Sequence, residues 1–409
     1  MRALFFGIVL LWPAAVTAQS AAWSYAELLK QSLQSHPSIQ ARRSSATAAQ
    51  FDVDAAEWQR FPTPTVESLS RSSSTPNVPN GRLRVQQPIW TGGRITAGID
   101  GANARKDAAD SGITETQQDI ALRVATGYVE AARFQAREEY ARRSVGEHER
   151  LLGLIGRRVQ QEVSAPVDRE LAQSRLYQVQ NEVSTSSQFR RSALAQLTQL
   201  TDRPVTQVVA LDSRVVGVPA SQEEALQRAI AYSPTLLRIA AEERAAAADV
   251  DTRRAVLWPQ LGVRYERDYG GPFAQDNRLL LVVEANPGAG LSAGSNVDAA
   301  RSRQTAAQLE RAAAMRDLQE RIAIDWTEYT AARERLTNAD LARKTATEVY
   351  ESFSRQYTAG RKTWVDVMNS VREQIQAEFT AVDVTAQVVA AGLRLNILTG
   401  QFNPAPVKQ

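Results

Sequence analysis

The feature that most constrains the fold of this chain is an internal repeat. The sequence matches itself at a shift of 197 to 200 residues, as where Phe61 and Pro62 recur as Trp258 and Pro259. The other matches, in the same order along the chain, are His36–Ser38 with Ser233–Thr235, Pro88 with Pro287, Ala131–Arg133 with Ala331–Arg333, Val167–Asp168 with Val365–Asp366, and Leu200–Thr201 with Leu398–Thr399. Self-similarity of this kind indicates a duplicated structural unit. We therefore predict two copies of one fold in tandem.

The repeat and the residues before it divide the chain into five segments. We predict a signal peptide at 1–18, a first repeat at 19–201, a linker at 202–220, a second repeat at 221–403 and a C-terminal tail at 404–409. A basic residue, a short apolar stretch and a small-x-small pattern ending at Ala18 are typical of a secretory signal. Because Pro13 interrupts this short stretch, it does not suit a permanent anchor helix. The mature chain is expected to be exported.

Composition excludes several kinds of chemistry. The chain has no cysteine and only two histidines, His36 and His148. Thiolate metal sites and cysteine nucleophiles are therefore ruled out, and we predict no metal, no cofactor and no enzymatic activity. The net charge is +3 without any basic run, so nucleic acid is not an expected partner. A hydrolase is the weakest interpretation, because no nucleophile motif is present.

Each repeat has the same order of predicted elements near its start. A helix over 38–60, and its counterpart over 235–257, ends at a proline-containing stop. A stretch of 25 to 27 residues follows and is bounded by Pro88 or Pro287, which fits one β-hairpin. The outgoing strand of the first hairpin, around 65–71, alternates poorly and is predicted by symmetry with the second copy. Each repeat thus contributes two strands.

Long helical stretches follow the hairpins. From Ile113 to Val159, apolar or small residues recur at spacings of four and three over nearly seven heptads, as in coiled coils. A helix over 93–161 would be about 100 Å long at 1.5 Å per residue. Helices over 166–201 and 363–399 then return. The short and returning helices of a repeat together match the long one in length, so they are predicted to lie end to end along it.

Four strands per chain cannot close a barrel. No 18-residue apolar stretch was found after the signal, so a membrane-spanning role would fall to β-strands, and membrane barrels need about eight or more of them. Three chains give twelve strands and an open passage. The predicted fold class is therefore mainly α with membrane β, a trimeric 12-stranded β-barrel continued by a long α-helical coiled-coil barrel.

Two motifs carry a resemblance to a known family. The run Gln87–Arg94 (QPIWTGGR) resembles the strand-to-helix signature of the TolC-like outer membrane factors, and Tyr357–Asp366 (YTAGRKTWVD) resembles their periplasmic tip. The resemblance covers essentially all of the mature chain. It implies a homotrimer in the outer membrane of a Gram-negative bacterium, extending into the periplasm. It also implies a periplasmic adaptor, an inner-membrane transporter of the RND or ABC type and outer membrane lipid as partners.

The resemblance also implies roles for residues at the two tips. Tyr357 and Lys362 correspond to a network that keeps the entrance closed, with Asp168 as acceptor, and Asp366 to a ring of three carboxylates at the constriction. The implied adaptor-docking residues are Val163, Ser164, Ala165, Pro166, Ala359, Gly360, Arg361 and Thr363. The chain departs from the family pattern in having Glu162 where glycine is usual, Lys362 where arginine is common, and Asn369 in place of a second acid.

Simpler interpretations stay open for several residues. His148 lies on the heptad pattern and suits packing, and His36 before Pro37 suits a helix start. Asp168 and Asp366 lie in first helical turns, where a carboxylate is stabilised by the helix dipole without any further role. Three aromatic residues next to prolines suit either a core or a membrane-interface girdle; they are Phe61, Trp90 and Trp258.

Two function classes remain open. The first is an exit duct for efflux or type I secretion, whose substrate is either a secreted adhesin-type protein or small toxic compounds. The alternative is a periplasmic structural coiled coil or an adaptor protein without a pore. An adaptor would need one helical hairpin flanked by β-domains, and a simple coiled coil would not need strands between paired prolines. The repeat favours the duct.

Overall fold

The computed structural model describes residues 22–69, 80–215, 217–269, 277–286 and 288–402. Residues 1–21, which include the predicted signal peptide, and residues 403–409, which include the predicted C-terminal tail, lie outside the described residues. In the first half the elements are α1 (Tyr25–Ser35), α2 (Pro37–Trp58), β1 (Thr63–Leu69), β2 (Asn80–Trp90), α3 (Arg94–Gln160) and α4 (Pro166–Thr201). In the second half they are α5 (Gln222–Tyr232), α6 (Pro234–Ala255), β3 (Gln260–Tyr269), β4 (Asn277–Glu284), a 3-10 turn (Ala289–Leu291), α7 (Ala293–Thr358) and α8 (Trp364–Leu398).

The strands form one antiparallel sheet in the order β1-β2-β3-β4. β1 pairs with β2 at every position from Thr63 to Leu69, so the outgoing strand of the first hairpin is regular although its sequence alternates poorly. β2 and β3 join the two halves, from Gly81 opposite Tyr269 to Trp90 opposite Leu261. The sheet thus continues from one repeat to the other, and β1 and β4 are its edges.

The helices form a wall one layer thick. Near the sheet the order of packing is α2, α3, α6, α7, and farther away it is α4, α3, α8, α7. α2 and α4 both pack along α3, which confirms the prediction that the two shorter helices lie along the long one. α6 and α8 lie between α3 and α7 and connect the two repeats. The wall has α2 and α4 at one edge and α7 at the other.

Burial fixes how the two repeats correspond. Most buried residues of α7 fall on buried residues of α3 at a shift of 198, as with Val297 and Ile99 or Ile322 and Val124. The same shift relates α8 to α4, whereas α6 corresponds to α2 at 197, as with Val250 and Val53. The match of Ala131–Arg133 with Ala331–Arg333 at a shift of 200 is therefore fortuitous. A two-residue slip would rotate the buried face of a continuous helix by about 200°.

Two short helices were not predicted. α1 precedes α2 and α5 precedes α6, and each packs on a long helix. α1 begins with a capping box in which Ser24 and Glu27 satisfy each other's backbone N–H groups. His36 is the N-cap of α2 and accepts a hydrogen bond from the backbone N–H of Ser38 at 3.2 Å, as its position before Pro37 indicated.

Among the described helices, α8 is long and apolar enough to cross a membrane by length and composition. The expectation that no such stretch follows the signal was therefore wrong for α8. More than half of its most apolar window is buried. It packs against α3 and α7, and residues such as Val367, Leu395 and Ile397 are fully buried there. α8 is thus a core helix of the wall.

Candidate functional site

The sheet has two chemically different faces. Cross-strand neighbours share a face. One face carries apolar side chains that are exposed in the single chain, among them Val66, Leu279, Leu281 and Val283, exposed by 63–78%. Exposed aromatic residues lie at the helix-side end of the strands; they are Trp58, Phe61, Trp90 and Trp258. Their exposure excludes a place in the core of the chain, and a belt of this kind suits a membrane interface.

The opposite face carries a ladder of charges that the sequence did not single out. Arg84 contacts Glu67 at 3.2 Å and Glu266 at 3.1 Å, so one guanidinium joins β1, β2 and β3. Asp268 accepts from Arg82 at 2.6 Å and from Arg278 at 2.7 Å. The sequence shows charged residues at every second position of these strands, but which charges pair depends on the register of β2 against β3. An apolar face opposite a charged face is the pattern of a membrane strand lining a watery interior.

At the end of the wall far from the sheet, the helical hairpins α3–α4 and α7–α8 end in matching turns. In the first turn, the backbone N–H of Val163 donates to the carbonyl of Arg158 at 2.9 Å. In the second, the N–H of Arg361 donates to the carbonyl of Gln356 at 2.9 Å. Both bonds close a Schellman motif, which needs one residue in the left-handed region. That residue is Gly360, with φ 71°, in the second turn and Glu162, with φ 57°, in the first.

Because glutamate adopts a left-handed conformation at a cost, Glu162→Gly is expected to stabilise the first turn by about 0.5–1 kcal/mol. The matched change Gly360→Ala should destabilise the second turn by about 1 kcal/mol, since the Cβ added there meets no other atom and only the backbone strain changes. Hydrogen-exchange protection of the amides at each turn measures both effects. Equal protection in the parent protein and both variants would show that φ at these positions carries no cost.

The two hairpins meet in an apolar cluster just above the turns, here called the tip cluster. It contains buried residues of α3, α4, α7 and α8, namely Leu151, Ile155, Ala172, Tyr350, Tyr357, Trp364, Val367, Met368 and Val371. Trp364 is 5% exposed and its ring centroid lies 5.7 Å from that of Tyr357. The family resemblance implied a role for Tyr357, whereas Trp364 was named only as part of the tip motif. The cluster fastens α8 to α3 inside one chain.

Tyr357 lies within reach of the charge of the predicted Asp168, but its direct contacts are with other residues. The guanidinium of Arg158 lies 5.0 Å from its ring centroid, and its hydroxyl is buried without a hydrogen-bond partner among the described residues. Burial raises the pKa of Tyr357; the charge of Arg158 opposes the rise, and the nearby carboxylate of Asp168 adds to it. Within the described single chain, no hydrogen bond joins Tyr357 or Lys362 to Asp168, so that network stays a prediction for the assembled protein.

Lys362 and Asp366 have local roles in the single chain. The Lys362 ammonium lies 4.1 Å above the ring centroid of Phe353, a cation–π contact. Asp366 accepts hydrogen bonds from the N–H of Thr363 at 3.2 Å and from its hydroxyl at 2.8 Å, forming a capping box. These hydrogen bonds, together with the charge of Lys362, lower the pKa of Asp366. The carboxylate therefore stays ionised to a lower pH than an ordinary aspartate does.

The predicted docking residues surround the turns and are mostly accessible. Of these, Val163, Ala165, Pro166, Ala359, Gly360, Arg361 and Thr363 are exposed and Ser164 is half-buried. Val167 and Val365, which follow the two turns at equivalent positions, are 68% and 49% exposed. Asp168 is half-buried in the first turn of α4. The two tips thus present a similar apolar residue to solvent.

His148 has the structural role indicated by its heptad position. It is 4% exposed, and its Nδ1 lies 2.8 Å from the carbonyl oxygen of Ser144. Burial lowers its pKa, so the ring is neutral at pH 7. The described residues contain no group of histidine and carboxylate side chains that could hold a metal ion.

Comparison with known proteins agrees with this architecture. Residues 28–203, which span most of the first repeat, match the family model described as outer membrane efflux protein. No curated protein sequence matches the chain.

Solved structures match over nearly the whole chain. CusC shares 13% identity with a TM-score of 0.82 over 94% of this chain and 95% of its own. The outer membrane protein VceC of Vibrio cholerae shares 17% identity with a TM-score of 0.80 over 92% and 96%. The CmeC outer membrane channel of Campylobacter jejuni shares 11% identity with a TM-score of 0.76 over 92% of this chain and 85% of its own.

These matches bear on the predictions made from the sequence. At such low identity, the solved structures establish the fold alone, and the model matched by the first repeat is that of an outer membrane efflux protein. The predicted location in the outer membrane, extending into the periplasm, agrees with that of the matched proteins. The resemblance seen in the sequence is thereby confirmed: the first repeat matches the outer membrane efflux protein family, and the whole chain has the fold of the TolC-like outer membrane factors.

Proposed function

We propose that this protein is the trimeric exit duct of an efflux or type I secretion system. The observation that carries the proposal is that one chain forms a wall segment with two open edges. β1 and β4 each have one unpaired side, and α2 with α4 and α7 form the corresponding helical edges. An unpaired strand edge in a membrane needs a partner, because lipid cannot hydrogen-bond the backbone. A closed ring of identical chains supplies one, and three chains give twelve strands.

The strand edges provide a test of this assembly. The chain has no cysteine, so introduced pairs report without background. Thr65 of β1 and Leu280 or Val282 of β4 lie on the charged face of the sheet. Thr65→Cys combined with Leu280→Cys or Val282→Cys is expected to give disulfide-linked trimers on non-reducing gels after extraction from outer membranes. One of the two pairs should dominate, according to the register between chains.

The control pairs Thr65→Cys with Leu281→Cys, whose side chain lies on the apolar face and faces away from Thr65. This pair should stay unlinked in the assembled protein. If neither charged-face pair links, or if the purified protein is a water-soluble monomer, the alternative of a periplasmic coiled coil or adaptor without a pore is favoured instead.

In the proposed function, the tips form the periplasmic entrance. A periplasmic adaptor engages the exposed residues at the two turns, and an inner-membrane transporter of the RND or ABC type supplies the energy. Tyr357, Lys362 and Asp168 hold the entrance closed, and Asp366 faces the constriction as one of three carboxylates. The substrate is either small toxic compounds or an adhesin-type protein, and crosslinking through the tips to the inner-membrane transporter would distinguish them.

Asp366 is expected to give the channel a preference for cations. Because its pKa is lowered, the preference should persist to a lower pH than an ordinary aspartate would allow, and it should disappear as the pH falls through the lowered pKa. The contribution of its capping box to stability is lost over the same pH window, as the pH falls through the lowered pKa. Asp366→Asn should move the reversal potential in a salt gradient toward zero in planar bilayers.

Glu351→Gln is the control for this measurement. Glu351 is an exposed carboxylate of α7 that contacts Arg355 on its own helix. Its neutralisation changes the charge of the trimer by the same amount. Equal shifts for the two variants would remove Asp366 from the constriction and leave it with its capping role alone.

A further inference from the structure

The apolar face of the sheet carries one arginine. Arg267 alternates with Tyr265 and Tyr269 along β3, and its cross-strand neighbours are Leu83 on β2 and Asn277 on β4. Every second residue of a strand and the residues directly opposite share a face. No other residue that the structure describes on this face of the four strands is charged. The exposed guanidinium of Arg267 thus interrupts an otherwise uncharged surface.

Arg267 also differs from the other arginines of the described strands in its contacts. Those arginines lie on the charged face, and each has a carboxylate within salt-bridge distance. The pairs are Arg82 and Arg278 with Asp268, Arg84 with Glu67 and Glu266, and Arg264 with Glu266 and Glu284. The Arg267 side chain has no ion pair or hydrogen bond with any residue in the described part of the chain, and its guanidinium carbon lies 4.9 Å from the ring centroid of Tyr269. Its N–H groups are therefore available to a ligand.

The contact with Tyr269 shows the level at which the guanidinium lies. Tyr269 is farther from the helices than Arg267, so the arginine side chain extends toward the outer end of the strand. From Leu261, which is paired with Trp90 of the aromatic belt, to Tyr269 the strand advances about 27 Å, or roughly 20 Å along the membrane normal at the usual tilt. The apolar band of a membrane barrel is about 25 Å tall, with aromatic residues at both of its borders. The guanidinium therefore lies at the outer border of the band.

The residues around Arg267 suit an anion. A cation–π contact holds the guanidinium against the ring of Tyr269, which is 44% exposed, and leaves the edge with the N–H groups free. On β4, Asn277 lies directly opposite Arg267, and its Oδ1 accepts a hydrogen bond from the Tyr265 hydroxyl at 3.2 Å. The amide Nδ2 of Asn277 is then a second donor beside the guanidinium. A planar fork of N–H donors matches two oxygens of a phosphate group.

The position of this group in the sheet indicates the source of the phosphate. β3 lies between β2 and β4 of its own chain, so the group is complete within one chain and lies away from the edges β1 and β4, at which chains would join. In the proposed function the helices extend into the periplasm, and the opposite end of the sheet reaches the outer leaflet. The lipid of that leaflet is lipopolysaccharide, whose phosphate groups lie at the border of the apolar band.

We propose that Arg267, together with Tyr269 and Asn277, binds a phosphate group of lipopolysaccharide in the outer leaflet, with one such site on each chain. The site deepens the proposed function and rests on it, because that function places the sheet in the outer membrane. A charge-assisted contact at the membrane border is stronger than the same contact in water, because the local dielectric constant is lower. Three sites on a trimer would hold the barrel at a fixed depth relative to the lipid phosphates.

Binding of lipopolysaccharide to the full-length trimer in detergent tests the site. The number of lipid molecules bound per trimer is counted by native mass spectrometry over a range of lipid concentrations, in the presence of EDTA so that no metal ion bridges protein and phosphate. Arg267→Gln should raise the half-saturating concentration at least about tenfold, because a hydrogen-bonded charge contact is lost. Arg267→Lys should have a smaller effect, since it keeps the charge without the planar fork.

Arg203→Gln is the matched control. Arg203 is an exposed arginine that follows α4, and it has no ion pair with any other described residue. The end of α4 lies at the junction of α1 and α2, where the Ser35 hydroxyl contacts the carbonyl of Thr201. The whole of α2, about 33 Å long, therefore separates Arg203 from the sheet. This variant removes the same charge and should bind lipopolysaccharide as the parent protein does.

Two further ligands identify the chemistry that is bound. Lipopolysaccharide from which the phosphate groups have been removed keeps its acyl chains, and it should bind parent protein and Arg267→Gln equally weakly. Inorganic phosphate should not compete at millimolar concentration, because it lacks the chains that place the lipid against the apolar face. Equal binding of intact lipid by the parent and Arg267→Gln would overturn the proposal, as would full binding of the dephosphorylated lipid. Displacement of the lipid by inorganic phosphate would assign the site to a free anion instead.

The strand-edge disulfides separate a failure of this site from a failure of the proposed function. If the disulfide-linked trimers form and lipid binding does not depend on Arg267, the lipid site alone is wrong. If the trimers do not form and the protein is absent from the outer membrane, the proposed function fails and the lipid site fails with it.

Discussion

Glu138→Leu is expected to lower the free energy of unfolding of the helical wall by about 3 kcal/mol. The Glu138 side chain is 4% exposed and accepts from Arg142 at 2.5 Å and from Arg190 of α4 at 2.6 Å. Removing one partner of a buried ion pair leaves the other charge without compensation. Arg142 is mostly exposed and returns to water, so the cost arises mainly at Arg190, whose side chain is 25% exposed.

The second repeat shows how the same place is filled without charge. The equivalents of Glu138 and Arg190 are Leu336 and Val388, and Val388 is 1% exposed. The double variant Glu138→Leu with Arg190→Val should therefore regain the parental stability or exceed it by up to about 2 kcal/mol, because apolar residues often replace a buried ion pair without loss. Hydrogen exchange of α3 and α4 amides near these residues measures both variants.

A surface pair provides the control. Arg343 contacts Asp340 at 3.4 Å within α7, and both side chains are solvent-accessible in the single chain. Asp340→Leu should change stability by less than about 0.5 kcal/mol. If the double variant is as unstable as the single one, the buried pair is needed for the geometry of the first repeat, and the analogy with Leu336 and Val388 does not hold.

Most of the fold could be predicted because its signals are long and periodic. The helix predicted at 93–161 is observed at Arg94–Gln160, and the one predicted at 166–201 is observed at Pro166–Thr201. Heptad spacing over many turns fixes the type of element, and prolines fix its ends. α1 was missed because a helix of 11 residues offers few turns, although the capping box from Ser24 to Glu27 marked its start.

The site was less accessible to prediction because it depends on contacts between distant residues. The sequence shows that Tyr357 lies next to a turn, but not that Arg158 rather than Asp168 lies over its ring in the single chain. Likewise, Arg133 and Asp383 are 250 residues apart, and only the register of α3 against α8 brings them together. The internal repeat predicted equivalent positions, whereas the differences between equivalents became meaningful only once burial was known.

Trp364→Ala should be the most damaging single change at the tip. Truncation of a tryptophan buried to this extent is expected to lower the free energy of unfolding by about 3–5 kcal/mol, because it leaves a cavity between the hairpins. The loss should be confined to protection of amides in α8, α3 and α7 near the tip. Val365→Ala, at the next residue and 49% exposed, should change protection by less than about 0.5 kcal/mol.

The same variant tests whether the tip cluster fastens the α3–α4 and α7–α8 hairpins of one chain to each other. Trp364→Ala should let them move apart, so a cysteine pair introduced as Arg150→Cys and Ser354→Cys, whose parent side chains lie 3.3 Å apart, should be linked by rigid bismaleimides over a broader range of spacer lengths. A loss of protection without any broadening would mean that contacts outside the cluster, such as the ion pairs of Asp383 with Arg133 and Arg137, hold the hairpins together.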